Sequence, residues 1–307
     1  MVSSVKAECA ARKWRKEMEA QKILAWAILA YGVVYALCLC RSAWKDRGGV
    51  RTEKGKFWQL SLGEAVVFFF TTMGFPDFIL NTLLFRKCGW VEDKRLPGTL
   101  VASSVFAGAV IAFSYLRGGE TLSLVTLLLC MAAIAAGSLT GARVMTNLDG
   151  KTIRLIMGVA ILCSMGALIF KMIVSAGAVG TAAGLTPWQL CIALPIVFFF
   201  GFINMFGVPM KPPSVALFLL LGMSPMSTLT LMLAMGVASP MAGGIRVLRS
   251  GLYQKKIALA AVSFGTLGAL VGTAFTVSLD ATALSVILLI IMAITALTML
   301  RPKQQKT

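Results

Sequence analysis

The sequence predicts an all-α fold: a polytopic helical membrane protein made of two homologous, inverted repeats. Each repeat opens with a broken or re-entrant helix, and one extra transmembrane helix precedes them. Three observations predict this. Of 307 residues, 58% are hydrophobic and only 13% charged, with a mean hydropathy of +0.85. Apolar runs of about 20 residues, long enough to cross the hydrocarbon layer as helix, recur along the chain. Two of these runs are interrupted by Gly and Pro: SLGEAVVFFFTTMGFPDFILNTLLF at 61–85 and PIVFFFGFINMFGVPMKPPSVALFLLL at 195–221. Proline removes a backbone donor and clashes with the preceding turn, so neither run is one smooth helix. Within a bilayer, the freed backbone groups are tolerated only against protein or a watery cavity.

The third observation is internal repetition. Phe68-Phe69-Phe70 returns as Phe198-Phe199-Phe200, an offset of 130, and Gly74 and Pro76 return as Gly207 and Pro209, an offset of 133. Gly119 matches Gly251 at 132; Gly137 and Gly141 match Gly268 and Gly272 at 131; Leu148-Asp149 matches Leu279-Asp280 at 131. Gly137-x3-Gly141 and Gly268-x3-Gly272 are small-xxx-small patterns that allow helices to approach closely.

In chain order, residues 1–22 are polar and basic, and 23–40 form an apolar run too long for a signal h-region and without a small-x-small cleavage site. Together with the basic loop 41–56 they make a leading unit, 1–58. The first repeat covers 59–174, with its broken segment at 60–86 and spans near 98–116, 121–142 and 153–173. An uncharged linker follows at 175–187. The second repeat covers 188–300, with its broken segment near 189–221 and spans near 226–244, 255–276 and 281–300. A basic tail, RPKQQKT at 301–307, closes the chain.

Charge chooses the relative direction of the halves. If the broken segments span the membrane, each half crosses four times and the halves run parallel. If they are re-entrant, each half crosses three times and the halves are inverted. Inversion gathers the basic stretches 41–56, 86–95, 143–154, 246–256 and the tail on one side, and leaves 117–120, 175–187, 222–225 and 277–282 on the other. The positive-inside rule then makes the basic side cytoplasmic. The basic N-terminal stretch falls on the opposite side. The formal net charge of +17 is thereby assigned to loops, and no aromatic-basic stretch suggests a nucleic-acid platform.

The chemistry is expected at the two breaks. Paired Gly/Pro-interrupted segments at matching places in two halves point to a transporter's binding site. Half-helix starts expose unpaired N–H groups and favour anions. The substrate-binding candidates are therefore Gly74, Pro76, Asp77 and Asn81 with Ser103 from the following span, and Gly207, Pro209, Lys211 and Ser214 with Ser239. Lys211 carries the main argument, because a lysine at membrane depth is usually functional; the alternative is a surface loop from which it snorkels. Glu64 and Asp77 are the proton-coupling candidates, Glu64 having the alternative of an interfacial helix start. Seven scattered cysteines, no CxxC and no histidine argue against zinc or histidine-ligated haem, so no metal and no cofactor is expected. Gly150-Lys151-Thr152 resembles the end of a phosphate-binding loop, but Met145 stands where its first glycine belongs. Without histidine there is no Ser/His or Cys/His pair, and no enzyme is expected.

The two-half layout resembles the sulfite exporter TauE/SafE family, the toluene-sulfonate uptake permeases. The likeness is carried by the broken start of each half, by GSLTGARVMTNLDGKTIRLIMGVAIL at 137–162, and by its partner segment at 222–275. It covers about 60–300. Here the openings are GFPDF and FGVPMKPPS, where the family usually has a run of glycines before the proline. The resemblance implies a permease in the cell inner membrane for a small anionic substrate: a sulfonate, sulfite or related organosulfur or organic anion. The alternative is a non-transporting accessory or sensor with a basic recruiting tail. Oligomeric state and direction of transport are not legible.

Overall fold

A computed structural model describes residues 2–118, 122–174 and 180–274, with 290, 293–295 and 297 beyond them. The landmarks Gly119 and Leu279-Asp280, the loop 277–282 and the tail 301–307 lie outside the described residues, as do most of the expected span 281–300 and part of the linker 175–187. The described chain is helical. Six of its helices are long and apolar enough to cross a membrane, and the chain is a multi-pass helical membrane protein.

Helix α1 runs Val2–Lys45, longer than the apolar run 23–40, because its polar first half continues the same helix. At about 1.5 Å per residue, 44 residues extend about 66 Å, twice the hydrocarbon layer. The short α2 (Arg47–Thr52) leads into α3 (Phe57–Thr72) and α4 (Asp77–Lys87), the two limbs of the first broken segment. Then come α5 (Leu96–Gly118), α6 (Leu124–Met145) and α7 (Gly150–Val174). The Gly-Lys-Thr at 150–152 opens α7. Asp149 caps it by accepting from the Lys151 and Thr152 N–H groups and the Thr152 hydroxyl, and the Thr152 hydrogen bond holds the Asp149 carboxyl below its ordinary range.

The second broken segment is α8 (Pro187–Asn204), with Pro195 inside it, and α9 (Lys211–Leu220). Helices α10 (Pro225–Ser250) and α11 (Lys255–Ala274) follow. Residues Ala261–Gly265 of α11 form a wider π turn. Gly74 and Gly207 have φ of 96° and 84°, values that L side chains rarely adopt. Each break therefore needs glycine for its turn, and proline prevents the helix from continuing.

Both broken segments fold back. Leu84 of α4 lies against Gly63 of α3, and Asn81 reaches Glu64 at 3.3 Å. In the second, Gln189 in the first turn of α8 donates to the Leu221 carbonyl at 2.9 Å, just past the end of α9. Loops accordingly gather in two groups. At one end, Glu53 accepts from the Lys255 and Lys256 N–H groups, Gln254 donates to Trp90, and Asp93 pairs with Arg86 and Arg154. Asp46 pairs with Lys255 there, and that hydrogen bond lowers its pKa. At the other end, Gln21 accepts from Leu122 N–H, Ser123 N–H donates to Ala183, and Ala182 bridges to Met223.

Packing is tightest where glycine meets carbonyl. A Cβ on Gly137 would overlap the Phe198 carbonyl, one on Gly141 the Phe202 carbonyl, and one on Gly201 the Ile134 carbonyl. Across the molecule, Gly268 faces the Ala65 carbonyl, Gly272 the Phe69 carbonyl, and Gly265 the Phe68 ring. Helix α6 is thus seated on α8, and α11 on α3. Helix α1 is fastened along α5 and α10, where Tyr31 donates to the Met241 carbonyl at 2.7 Å and Gln21 to the Leu116 carbonyl at 3.1 Å.

Gly137→Ala is expected to force α6 and α8 apart and to destabilise the protein by about 1–3 kcal/mol, the usual range for overpacking. Gly166→Ala on α7, where an added Cβ meets nothing within 4 Å, is expected to stabilise by up to about 1 kcal/mol through helix propensity. Thermal unfolding of the two variants in detergent checks both signs.

Candidate functional site

The two breaks deliver their following residues to one place. Asp77 is the first residue of α4 and Lys211 the first of α9. Their side chains meet with Lys211 Nζ 2.9 Å from Asp77 Oδ1, across 134 residues of sequence. Both side chains are 11% exposed. Lys211 is therefore an interior residue and not a snorkelling surface lysine. The second Asp77 oxygen accepts from the Ser104 hydroxyl on α5 at 2.6 Å.

These three residues line a cavity closed by Phe68 and Thr71 of α3, Gly108 and Ile111 of α5, and Leu233, Gly236 and Val237 of α10. It holds about 20 Å³, room for roughly one water molecule. The Lys211 stem runs past Gly236, its Cε 3.6 Å from where a Cβ would sit, an ordinary contact distance. Tyr115 of α5 donates to the Thr72 carbonyl at 2.7 Å, which anchors the end of α3 beside the break.

A larger groove, about 510 Å³, lies on the opposite face of the α3–α4 hairpin. It is lined by Trp58, Leu62, Val66, Phe70, Leu80 and Leu84, with no charged side chain. That lining, with Gln59 and the Trp58 indole as its polar groups, suits a hydrocarbon chain and offers an anion no charge.

A second polar group sits deeper in the first hairpin. Glu64 is fully buried, and its one hydrogen bond shown is from Asn81 Nδ2 at 3.3 Å. Glu64 Oε1, Asn81 Oδ1, Ser61 Oγ and Thr82 Oγ1 are buried without a hydrogen-bond partner. A third group lies between α6, α8 and α10. Ser138 donates to Ser239 at 2.8 Å, and Asn204 donates to Ser239 at 2.6 Å.

The expected site residues therefore separate. Asp77 and Lys211 face each other in the cavity. Asn81 sits one turn along α4 from Asp77 and faces Glu64. Gly74 and Pro76 shape the first break, Pro76 preceding the first residue of α4. Gly207 packs on Met157 and Leu100, and the Pro209 carbonyl accepts from Ser164 at 3.3 Å. Ser214 is buried with its hydroxyl unpartnered. Ser103 bonds back to the Thr99 and Leu100 carbonyls of its own helix, and its neighbour Ser104 faces Asp77. Ser239 belongs to the Ser138–Asn204 group. Helix phase separates Ser103 from Ser104, and the phase of α5 is set by packing.

The half-helix starts contribute less than their spacing implied. Pro212 and Pro213 remove two of the first donors of α9, and the Ser214 N–H is already given to the Met210 carbonyl. The positive charge in the cavity is the Lys211 ammonium, not a bare helix end.

Two further residues, Ser138 and Gly236, were not singled out from the sequence. A serine and a glycine inside apolar, glycine-rich helices carry no local signal of function.

The chain matches no protein-family model, no curated protein and no solved structure. The site is read from its own geometry.

Removing one member of a buried ion pair strands the other. Lys211→Met is expected to lose about 3–5 kcal/mol of stability. Asp77→Asn combined with Lys211→Met removes both charges and is expected to recover most of that loss. Thermal unfolding of the single and double variants measures the coupling.

Proposed function

We propose that the protein is a secondary transporter, a permease that carries a small anion across the cytoplasmic membrane by alternating access around its two fold-back hairpins. The substrate class is a sulfonate, sulfite or related organosulfur or organic anion. The observation that carries this reading is the Asp77–Lys211 pair: two interrupted segments from distant parts of the chain bring one ammonium into the interior between them. An ammonium inside a membrane protein is expensive and marks a substrate or ion path. Its natural partner is an anion. Asp77 occupies that partner's place and keeps Lys211 neutralised while the cavity is too small for an organic anion. Substrate enters by displacing Asp77 from Lys211 as the cavity opens.

The repeat reading is supported by reciprocal contacts. Gly137 on Phe198 corresponds to Gly268 on Ala65, with offsets of 268 − 137 = 131 and 198 − 65 = 133. Gly141 on Phe202 corresponds to Gly272 on Phe69, with offsets of 131 and 133. Gly201 on Ile134 corresponds to Phe68 on Gly265, again 133 and 131. These contacts pair Phe68 with Gly201, so the triple-phenylalanine landmark, read at an offset of 130, is displaced by about one helical turn.

The fold-back of both broken segments supports re-entrant hairpins, three crossings per half and inverted halves. The two loop groups support the same topology. The end with Lys54, Lys56, Lys94, Arg154, Lys255 and Lys256 is then cytoplasmic by the positive-inside rule. The basic start of α1 lies on the other side. The resemblance of 137–162 and of the broken starts to the sulfite exporter TauE/SafE family points to the same substrate class.

The test is anion-dependent stabilisation and flux. Sulfite, methanesulfonate and a set of small carboxylates are added to the purified protein, and unfolding temperature is followed. A substrate at about 100-fold over its Kd is expected to add about 2.7 kcal/mol. The anion that stabilises is then expected to enter vesicles containing the protein. The doubly neutral Asp77→Asn, Lys211→Met variant, folded, is expected to show neither stabilisation nor entry. Stabilisation without entry would favour the sensor reading, and unchanged entry through the variant would remove Lys211 from the site.

A further inference from the structure

Resting on that reading, we infer that each anion is carried together with one proton, taken up at Asp77, and that Glu64 is the positioning residue through which the proton reaches it. The reason is a charge count in a buried site with room for about one water molecule. In the closed arrangement Lys211 is balanced by Asp77 at 2.9 Å, and the rest of the cavity lining adds no ionisable side chain. The ionisable groups near enough to act on Asp77 are therefore Lys211 from α9 and Glu64 from α3; α5 presents the Ser104 hydroxyl. When a monovalent anion takes Lys211, the Asp77 carboxylate loses its counter-ion. It then lies beside a second negative charge. Two anions against one ammonium inside the protein are strongly unfavourable. A proton on Asp77 restores neutrality, and the resulting acid still makes its hydrogen bond with Ser104.

Glu64 is built to hold such a proton. It is fully buried, and the group that reaches it is the neutral amide of Asn81. Its Oε1 and the Asn81 Oδ1 both lack a donor. A bare carboxylate in that position is an uncompensated charge; a carboxylic acid is not, and it brings the missing donor. Asn81 lies four residues after Asp77 on α4, on the same helix face, so the amide that positions Glu64 is attached to the Asp77 turn.

The transfer balances. The Glu64 carboxylic acid gives its proton to the Asp77 carboxylate, leaving Glu64 as carboxylate and Asp77 as acid. Lys211 is free for the anion, and water at the open face returns a proton to Glu64. One proton and one anion have entered. Release of both on the far side lets Asp77 close again on Lys211.

The test uses the full chain in vesicles loaded with a pH-sensitive dye, with the membrane potential clamped by potassium and valinomycin. Radiolabelled methanesulfonate is the probe, because it does not titrate over the range used. Uptake is expected to follow an inward acid gradient, to acidify the interior by one proton per anion, and to be unaffected by the clamped potential. Asp77→Asn is expected to lose the pH dependence of uptake. Glu64→Gln is expected to lose acid-driven accumulation, and Glu64→Asp to restore part of it. Uptake without acidification, uptake driven by the potential, or uptake following a sodium gradient at constant pH overturns the coupling while leaving the permease reading intact. No uptake of methanesulfonate, sulfite or any of the small carboxylates under any gradient overturns both.

Discussion

A lysine ammonium buried between two helix breaks is the constraint on which the rest of the arrangement depends. It requires a counter-ion, and Asp77 supplies one from the other broken segment at 2.9 Å. Ser104 holds the second Asp77 oxygen at 2.6 Å, so the carboxylate is fixed from α5 as well. An ion pair of this kind adds little net stability, yet breaking it from one side is costly. It is therefore better suited to fixing how the two broken segments meet than to holding the framework together. The stability of the helix framework has to come from elsewhere.

It comes from close helix contact. Without water, helix association depends on van der Waals packing and on backbones that approach each other. Glycines on α6 and α11 let them lie on the carbonyls of α8 and α3, and each of these pairs joins a span to a hairpin limb. The ionisable residues of the site do not follow the same pairing. Counting 133 residues onward, Glu64 meets Val197 and Asp77 meets Met210; counting back from Lys211 gives Phe78. Glycine-on-carbonyl contacts occur both at α6–α8 and at α11–α3, while the charges meet at one place. The carboxyls sit in one broken segment and the ammonium in the other.

Much of this was legible residue by residue. Gly74-Phe75-Pro76 and Gly207-Val208-Pro209 announced the breaks, because positive φ and a missing N–H are local properties. Asp77 and Lys211 were candidates because they follow those breaks. Thr99, Ser103 and Ser104 are a polar cluster in the sequence, and only Ser104 bonds to Asp77, since helix phase depends on which face of α5 meets α4. Ser239 looked like part of the anion cage, yet its hydroxyl is engaged by Ser138 and Asn204. The expected strength of the α9 start was reduced by residues visible in the sequence, Pro212 and Pro213, whose missing donors matter only once the helix is known to begin at Lys211.

By itself, the sequence determined that the chain is helical and membrane-embedded, where it breaks, and which few charges lie within apolar surroundings. Composition, periodicity and proline chemistry act over a few residues and need no partner. The tertiary structure decided which of those charges meet, that each broken segment turns back on itself, and that Glu64 faces an amide and Asp77 an ammonium. These depend on contacts between residues far apart in the chain, chosen by how glycine faces and carbonyls let one helix settle on another.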